Sequence, residues 1–322
     1  MGEEKKNKVE VDNTEKTTNK VKTVGLVLSG GGGKGAYQAG VLKALYYAGV
    51  LKDVTAISGA SIGAVNAMLY AMGDISLLEK CWMDIDMDVV FDIDMAMIKE
   101  NRLAFSRNAM DKLFDKFIDQ KVIKDSPYDI YFSLTDVTDG SQKGEYVKVD
   151  GESLENMKTY LMASTALPVI YEPVKINEKS YKDGGLTDNN PVTPLYEQGI
   201  RKFIMIRLSY GTTFDTSKFP DAEFIIINPS HDLGSLISGT LNFIDSEKEL
   251  KFKLGIKDGE RAIKTKFEKD PIYIEMERTL AESDYKLLID SYNQQKKMDA
   301  LSKSVSDNLD IFNKIADKYK DI

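Results

Sequence analysis

The stretch "VGLVLSGGGGKGAYQAGVLKALYYAGVLKDVTAISGASIG", residues 24–63, holds two short apolar runs, each ending in small residues and each followed by a helical pattern. Val24 to Leu28 lacks the alternation of a strand with one wet face, which predicts a parallel strand buried on both sides. It feeds a helix over about Ala36 to Ala48, with Val41, Leu42 and Leu45 on one face and Gly49 as the C-terminal cap. A second strand, Val54 to Ile57, runs into a segment that after Ser61 is apolar on nearly every side (Ile62, Ala64, Val65, Ala67, Met68, Leu69), so that helix, ended by Gly73, is central to the fold. Strand, helix, strand and helix in succession specify an α/β layer architecture around a mainly parallel sheet.

Further along, residues 128–138 and 145–149 read as a hairpin around Asp139 and Gly140, and residues 201–209 and 223–229 as two more buried strands. From about Leu233 the chain is charged and helical in pattern, with "SDYKLLIDSYNQQKKMDALSKSV" and "DNLDIFNKIADKYK" as two amphipathic helices. Segment 74–123 collects Met83, Met87, Met95, Met97 and Met110 with Trp82, Phe91, Phe105, Phe114 and Phe117. Thioethers and aromatics in that density serve either a core stripe or an adaptable apolar wall, such as a lid over an acyl chain.

Composition narrows the function. The 322 residues carry 43 Lys and Arg against 51 Asp and Glu, a net charge of −8, so nothing attracts the chain as a whole to nucleic acid or anionic lipid. Contact with a membrane surface is then local, apolar and transient. The single cysteine, Cys81, forms no internal disulfide and fits a reducing compartment. Residues 1–22 are polar and charged without an apolar h-region, and Lys6 stands where a myristoylation signal needs Ser or Thr. No apolar run approaches the 18 or so residues of a membrane span. A disordered N-terminal tail and a cytoplasmic location are the resulting expectations.

The glycines of "SGGGGKG" (29–35) admit three chemistries. A P-loop requires Ser or Thr after its Lys, and Gly35 follows Lys34, so phosphate cradling with magnesium fails. Gly30, Gly32 and Gly35 do satisfy the dinucleotide spacing, which keeps an NAD-dependent oxidoreductase as an alternative. That motif wants an acid at the end of the second strand, and Ser58, Gly59, Ala60 and Ser61 stand there instead, with Asp53 before the strand. The third chemistry is donation of bare backbone N–H groups to a reacting oxygen.

The residues at the end of the second strand support that third chemistry. "GASIG", Gly59 to Gly63, is Gly-x-Ser-x-Gly between a strand and a helix, the turn that makes a serine protrude at a helix N-terminus. A Ser61 alkoxide attacking an ester creates an oxyanion, and preorganised N–H donors there are worth on the order of a hundred- to a thousandfold in rate. Gly31, Gly32 and Gly33 are the candidate donors, aided by the helix that starts near Gly35. Ser61 also needs a proton acceptor. The only histidine, His231, lies in "NPSHDLG"; the alternative is a carboxylate acting directly, for which Asp183 in "YKDGGLTDNNP" stands out, because Gly184 and Gly185 behind it permit a tight turn. Asp188 and Asn189 are candidates to brace that turn. The acidic run from Asp84 to Met95 begins like a calcium loop, but Val89 and Met95 stand where Gly and Glu are required, so no metal site is read there.

Glycine loop ending in Lys34-Gly35, elbow Gly59 to Gly63, and Asp183-Gly184-Gly185, in that order, resemble the patatin-like phospholipase family. "ASTALPVIYEPVKI", Ala163 to Ile176, looks like the segment such proteins carry ahead of the aspartate. The resemblance covers roughly residues 23–210; residues 211–322 resemble bacterial members loosely. It implies a three-layer α/β/α patatin-like fold with a helical C-terminal extension, a Ser61–Asp183 dyad without histidine, Gly31, Gly32 and Gly33 as oxyanion donors, no cofactor, and hydrolysis of acyl esters of lipids. On this expectation residues 1–22 are a tail, 23–210 the catalytic domain, and 211–322 a continuation of the sheet plus helices packed on it. A non-catalytic lipid-binding module is the remaining alternative class. Lys34 has no assigned task beyond shaping its loop or meeting a lipid head group.

Overall fold

The computed structural model describes residues 23–85, 87–90, 107–168 and 170–318. The N-terminal tail of the sequence reading lies outside these residues, as do Phe91, Met95, Met97 and Phe105 of the 74–123 segment. An eight-stranded mixed sheet forms the centre, with β1 (Val24–Leu28), β2 (Val54–Ala60), β3 (Asp129–Asp136), β4 (Lys143–Lys148), β5 (Val174–Ile176), β6 (Lys179–Asp183), β7 (Lys202–Ile206) and β8 (Glu223–Ile227). The order is β5-β6-β3-β2-β1-β7-β8, with β4 paired to β3. Strands β3, β2, β1, β7 and β8 run parallel, as the unbroken apolar run of β1 predicts for that strand, and β4, β5 and β6 form antiparallel pairs at one side.

Alternate residues of the strands feed opposite faces. Leu26, Leu28, Ile57, Phe132, Ile204 and Ile206 face the larger core, and Val27, Ala56, Tyr131, Phe203 and Met205 the smaller one. Over the larger face pack α1 (Gly35–Tyr47), α2 (Ile62–Ala71), α3 (Ser76–Asp84) and, farther along the chain, α4 (Asn108–Phe117) and α5 (Leu154–Ser164). The smaller face is covered by the short helix Thr193–Glu197 and by Phe214 and Phe219. Gly49 and Gly73 take φ values of 70° and 78°, the left-handed cap conformation expected after α1 and α2.

Two features of the long helices differ from the sequence reading. The apolar face of α1 is wider than Val41, Leu42 and Leu45: every residue from Gly35 to Leu42 is buried. The reason is α6 (Asp245–Ala262), which lies along the outside of α1 with Gly255 against the Tyr37 carbonyl and Gly40 against the Phe252 carbonyl, so that two backbones touch without side chains between them. The C-terminal amphipathic segments are one continuous helix, α7 (Pro271–Lys318), rather than two. Pro271 occupies its first turn and no glycine or further proline interrupts it, so Ser304 to Asn308 lower its propensity without breaking it. Its Tyr285 and Leu288 pack on the larger core, and Tyr292 Oη donates to Glu247 Oε1 at 2.9 Å.

The contact of α1 with α6 gives a direct check. Gly255→Ala, whose methyl collides with the backbone of Tyr37, is expected to cost about 2–3 kcal/mol in denaturant unfolding. Gly151→Ala, with nothing near the added carbon, stays within about 0.5 kcal/mol of the parent chain.

Candidate active site

Sheet register alone brings the two candidate residues together. Ala60, the last residue of β2, pairs with Ser133 of β3, and the next residue of β3, Leu134, pairs with Asp183 at the end of β6. Ser61, the first residue beyond β2, therefore emerges beside Asp183. Its Oγ donates to Asp183 Oδ2 at 2.6 Å, and the two residues are 5% and 3% exposed.

Ser61 takes φ 54° and ψ −126°, a conformation that costs a non-glycine residue about 1–3 kcal/mol and persists only where neighbours over-determine it. Here the neighbours are backbones. A Cβ on Gly63 would strike the Leu28 carbonyl, and one on Gly59 would strike the first turn of α2. The Ser61 N–H donates to Ser164 Oγ at 3.1 Å, and Ser164 Oγ donates to the Ser133 carbonyl at 2.9 Å.

Asp183 is held as firmly. Gly185 N–H donates to its Oδ1 at 2.8 Å, its own N–H donates to the Ala166 carbonyl at 3.0 Å, and Thr135 Oγ1 donates to its carbonyl at 2.9 Å. Position 184 must be glycine because a side chain there would collide with the Ser133 carbonyl. The loop continues to Asn189, whose Nδ2 donates to the Gly30 carbonyl at 3.2 Å, and to Asn190, whose Oδ1 accepts from Ser29 Oγ at 2.6 Å. The aspartate loop and the glycine loop are thus one hydrogen-bonded unit. Asp188 accepts from Tyr146 Oη at 2.7 Å, also bracing the loop.

Gly30, Gly31 and Gly32 border a cleft of about 350 Å³ that also contains Ser61, Asp183, Lys34 and Thr240. Gly32 has φ 54°, and Thr240 lies where its side chain would be; Gly33 packs in the same way on the Asn242 carbonyl. A turn at residues 239–242 therefore covers the side of the glycine loop that a longer side chain would occupy. Gly35 is buried between Ile62 and Trp82. Behind Ser61 lies a second, narrow cavity of about 40 Å³, walled by Ile62, Val65, Met110, Phe114, Leu167 and Phe243.

Three further groups at the site had no local sequence signal. Ser164 is one, although its segment was picked out as a whole. Arg107 is another: its guanidinium donates to the Met162 carbonyl and Thr165 Oγ1 and stacks on Tyr171 at 4.5 Å. The third is a buried chain in which Trp82 Nε1 donates to Asn66 Oδ1, Asn66 Nδ2 to Gln38 Oε1, and Gln38 Nε2 to the Ser29 and Ile206 carbonyls. It anchors the start of the glycine loop to both neighbouring helices. His231 is occupied elsewhere, stacked on Tyr285 at 3.8 Å with Nδ1 3.0 Å from Ser230 Oγ. Among the described residues no group of three His, Cys, Asp or Glu side chains is placed to hold a metal.

Burial drives the Asp183 carboxyl up to about 6, against the opposing pull of the Ser61 and Gly185 hydrogen bonds and the Arg107 charge. Burial likewise lowers Arg107, to about 10, which leaves it a cation at neutral pH.

The arrangement defines a serine–aspartate site on a layered α/β fold, with bare glycine backbone along one wall. The sequence profile of the family described as "Patatin-like phospholipase" matches residues 26–196, and the chain belongs to that family. Lysophospholipase NTE1 of Cryptococcus neoformans is 27% identical over 243 residues, 70% of this chain and 14% of that protein. Patatin-like phospholipase domain-containing protein 7 of Rattus norvegicus is 25% identical over 203 residues, 62% of this chain and again 14% of the relative. The chain thus spans about one seventh of the length of these relatives. Among solved structures, VipD of Legionella pneumophila aligns with a TM-score of 0.46 at 16% identity, covering 76% of this chain and 67% of that one. Among the described residues no helix is long and apolar enough to cross a membrane.

The Asp183 shift has a stability consequence whose sign is fixed. A carboxyl raised above its ordinary value holds its proton longer folded than unfolded, so stability falls as pH rises from about 4 to about 6. Asp183→Asn, which never ionises, is expected to be more stable than the parent by about 2–3 kcal/mol at pH 7.5, with the gap closing below pH 4, in urea unfolding at both values.

Proposed function

We propose that the protein is a lipid acyl hydrolase that cleaves carboxylic esters through a Ser61–Asp183 dyad. The observation that carries the reading is the buried 2.6 Å hydrogen bond from Ser61 Oγ, on a strained strand-to-helix turn, to a carboxylate with no histidine between them. Ionised Asp183 takes the Ser61 proton as Oγ attacks the ester carbonyl. The carbonyl oxygen becomes an oxyanion, for which the backbone N–H groups of Gly31, Gly32 and Gly33 are the proposed donors, a reading supported by Gly31 and Gly32 bordering the cleft beside Ser61. Collapse of that intermediate breaks the ester C–O bond, and the leaving alcohol takes the proton from Asp183. Water then enters, gives a proton to Asp183, and releases the acid from Ser61 in a second round of the same steps.

An aspartate is a weak base in water, and its environment here answers that weakness. Burial raises Asp183 toward neutrality, which strengthens it as a proton acceptor, while Arg107 and the Gly185 N–H keep it ionised above about pH 6. The two cavities meeting at Ser61 supply the substrate's two ends. The cleft, lined by Lys34 and Asn189, suits the alcohol portion, and the apolar slot suits the acyl chain. At about 40 Å³ the slot takes a long chain only as its side chains move apart, which the thioether of Met110 allows. Proteins named lysophospholipase and phospholipase among the relatives favour an ester of a glycerophospholipid.

Hydrolysis of p-nitrophenyl butyrate tests the assignment. Ser61→Ala and Asp183→Asn are expected to lose at least about a thousandfold in kcat, and His231→Ala less than about threefold. Full activity in Ser61→Ala, or loss only in His231→Ala, overturns it. The kcat/KM profile of the parent is expected to rise with pH to a plateau, with its midpoint near pH 6 where Asp183 ionises. Arg107→Met, which removes the charge favouring the ionised form, moves that midpoint upward.

A further inference from the structure

Twelve successive residues, Leu233 to Ile244, carry no charged side chain, in a chain that is 29% charged. They fold over the glycine loop. Thr240 and Asn242 meet Gly32 and Gly33, Thr240 lines the cleft beside Ser61, and Phe243 lines the apolar slot behind it. Three apolar side chains of the same segment face solvent, Leu236 64% exposed, Ile237 78% and Ile244 54%, while Leu233 is buried. These side chains are not on a loose tip. Residues 236–240 form a π-helical turn closed by a capping box, in which Ser238 N–H donates to Ser235 Oγ and Ser235 N–H to Ser238 Oγ.

Two more exposed apolar residues adjoin the same opening. Leu186 itself lines the cleft, and Tyr210 follows the cleft residues Leu208 and Ser209. Three separate segments of the chain, 185–189, 208–210 and 236–244, thus each give the cleft a wall residue and the solvent an uncovered apolar one. Asp232 and Asp245, both exposed, bracket the longest of them.

We propose that Leu236, Ile237 and Ile244, with Leu186 and Tyr210, form a docking surface that seats the mouth of the cleft on a zwitterionic phospholipid surface. This rests on the lipid-ester reading above, since a substrate held in a lipid aggregate gives the rim of a catalytic cleft a use for bare aliphatic side chains. The absence of cations from 233–244 and the net charge of −8 select a neutral or zwitterionic surface over an anionic one. Docking there places the ester carbonyl next to Ser61 without carrying the acyl chain through water. It also loads the turn that lies against Gly32 and Gly33, so surface engagement and the oxyanion wall share one structural element.

Binding is read on the full chain carrying Ser61→Ala, so the result does not depend on hydrolysis, and a failure to bind vesicles is distinguishable from a failure to cleave esters. Sedimentation with sucrose-loaded phosphatidylcholine vesicles is expected to show partitioning that falls at least about tenfold in Leu236→Ser/Ile237→Ser. The exposed pair Leu287→Ser/Met298→Ser on α7 serves as control and is expected to partition unchanged. A second probe is Ile237→Trp, whose emission shifts to the blue when phosphatidylcholine vesicles are added, while Trp82, the native tryptophan, is fully buried and contributes a constant background. No sedimentation of the parent, equal sedimentation of the 236/237 variant, or an Ile237→Trp spectrum indifferent to vesicles overturns the proposal. So does binding that appears only with anionic phosphatidylglycerol vesicles, or light scattering showing a dimer that Leu236→Ser/Ile237→Ser converts to monomer.

Discussion

The hydrogen bond between Ser61 and Asp183 joins residues 122 positions apart, and most of the architecture around it serves to keep that bond short and dry. Ser61 is fixed by the end of β2 and the start of α2, Asp183 by the last residue of β6. Both strands pair with β3, and the pairings are consecutive, Ala60 with Ser133 and Asp183 with Leu134. A one-residue slip of β6 would turn Asp183 to the other face of the sheet and separate the pair. The Ser164 and Thr135 hydroxyls tie both sides of this junction to neighbouring backbone, and Asn189 and Asn190 tie the glycine loop to it as well.

The electrostatics of the site balance two requirements. A carboxylate must lose its water to become a useful base, and the loss of water favours its neutral form. Among the described groups, the Ser61 hydroxyl, the Gly185 N–H and the Arg107 guanidinium oppose that penalty, and burial outweighs all three, which leaves Asp183 near 6 rather than in the ordinary carboxylate range. Ionised Asp183 at neutral pH therefore costs fold stability, and the proposed role of Asp183 as base needs that charge. Ser61 adds strained backbone to that cost.

Local spacing made much of this legible in the sequence. The runs flanking the glycines and the elbow were bounded by small residues, so β1, α1, β2 and α2 were read with their caps at Gly49 and Gly73, although β2 extends three residues farther, to Ala60. Ser61 and Asp183 could each be picked out from the glycines beside them, because Gly59, Gly63 and Gly184 answer to backbone collisions that any side chain would cause. The unreadable part depends on contacts without local pattern. Ser164 and Arg107 act across 103 residues and 58 residues respectively, and a serine or arginine carries no periodicity that announces such a partner. The full burial of α1 arises from Gly40 against the Phe252 carbonyl and Gly255 against the Tyr37 carbonyl, contacts between positions more than 200 residues apart, and the uncharged turn at 233–244 was lost in a region read as charged and helical.

The proposed mechanism makes Ser61 the nucleophile and Asp183, not His231, its proton acceptor. Reaction with a fluorophosphonate, followed by mass mapping of the modified peptide, addresses this without choosing a lipid. The account predicts a single adduct on Ser61 in the parent chain, formed at an undiminished rate in His231→Ala and at a rate reduced at least about a hundredfold in Asp183→Asn. An adduct on another residue, or labelling of Ser61 that depends on His231 and not on Asp183, would contradict it.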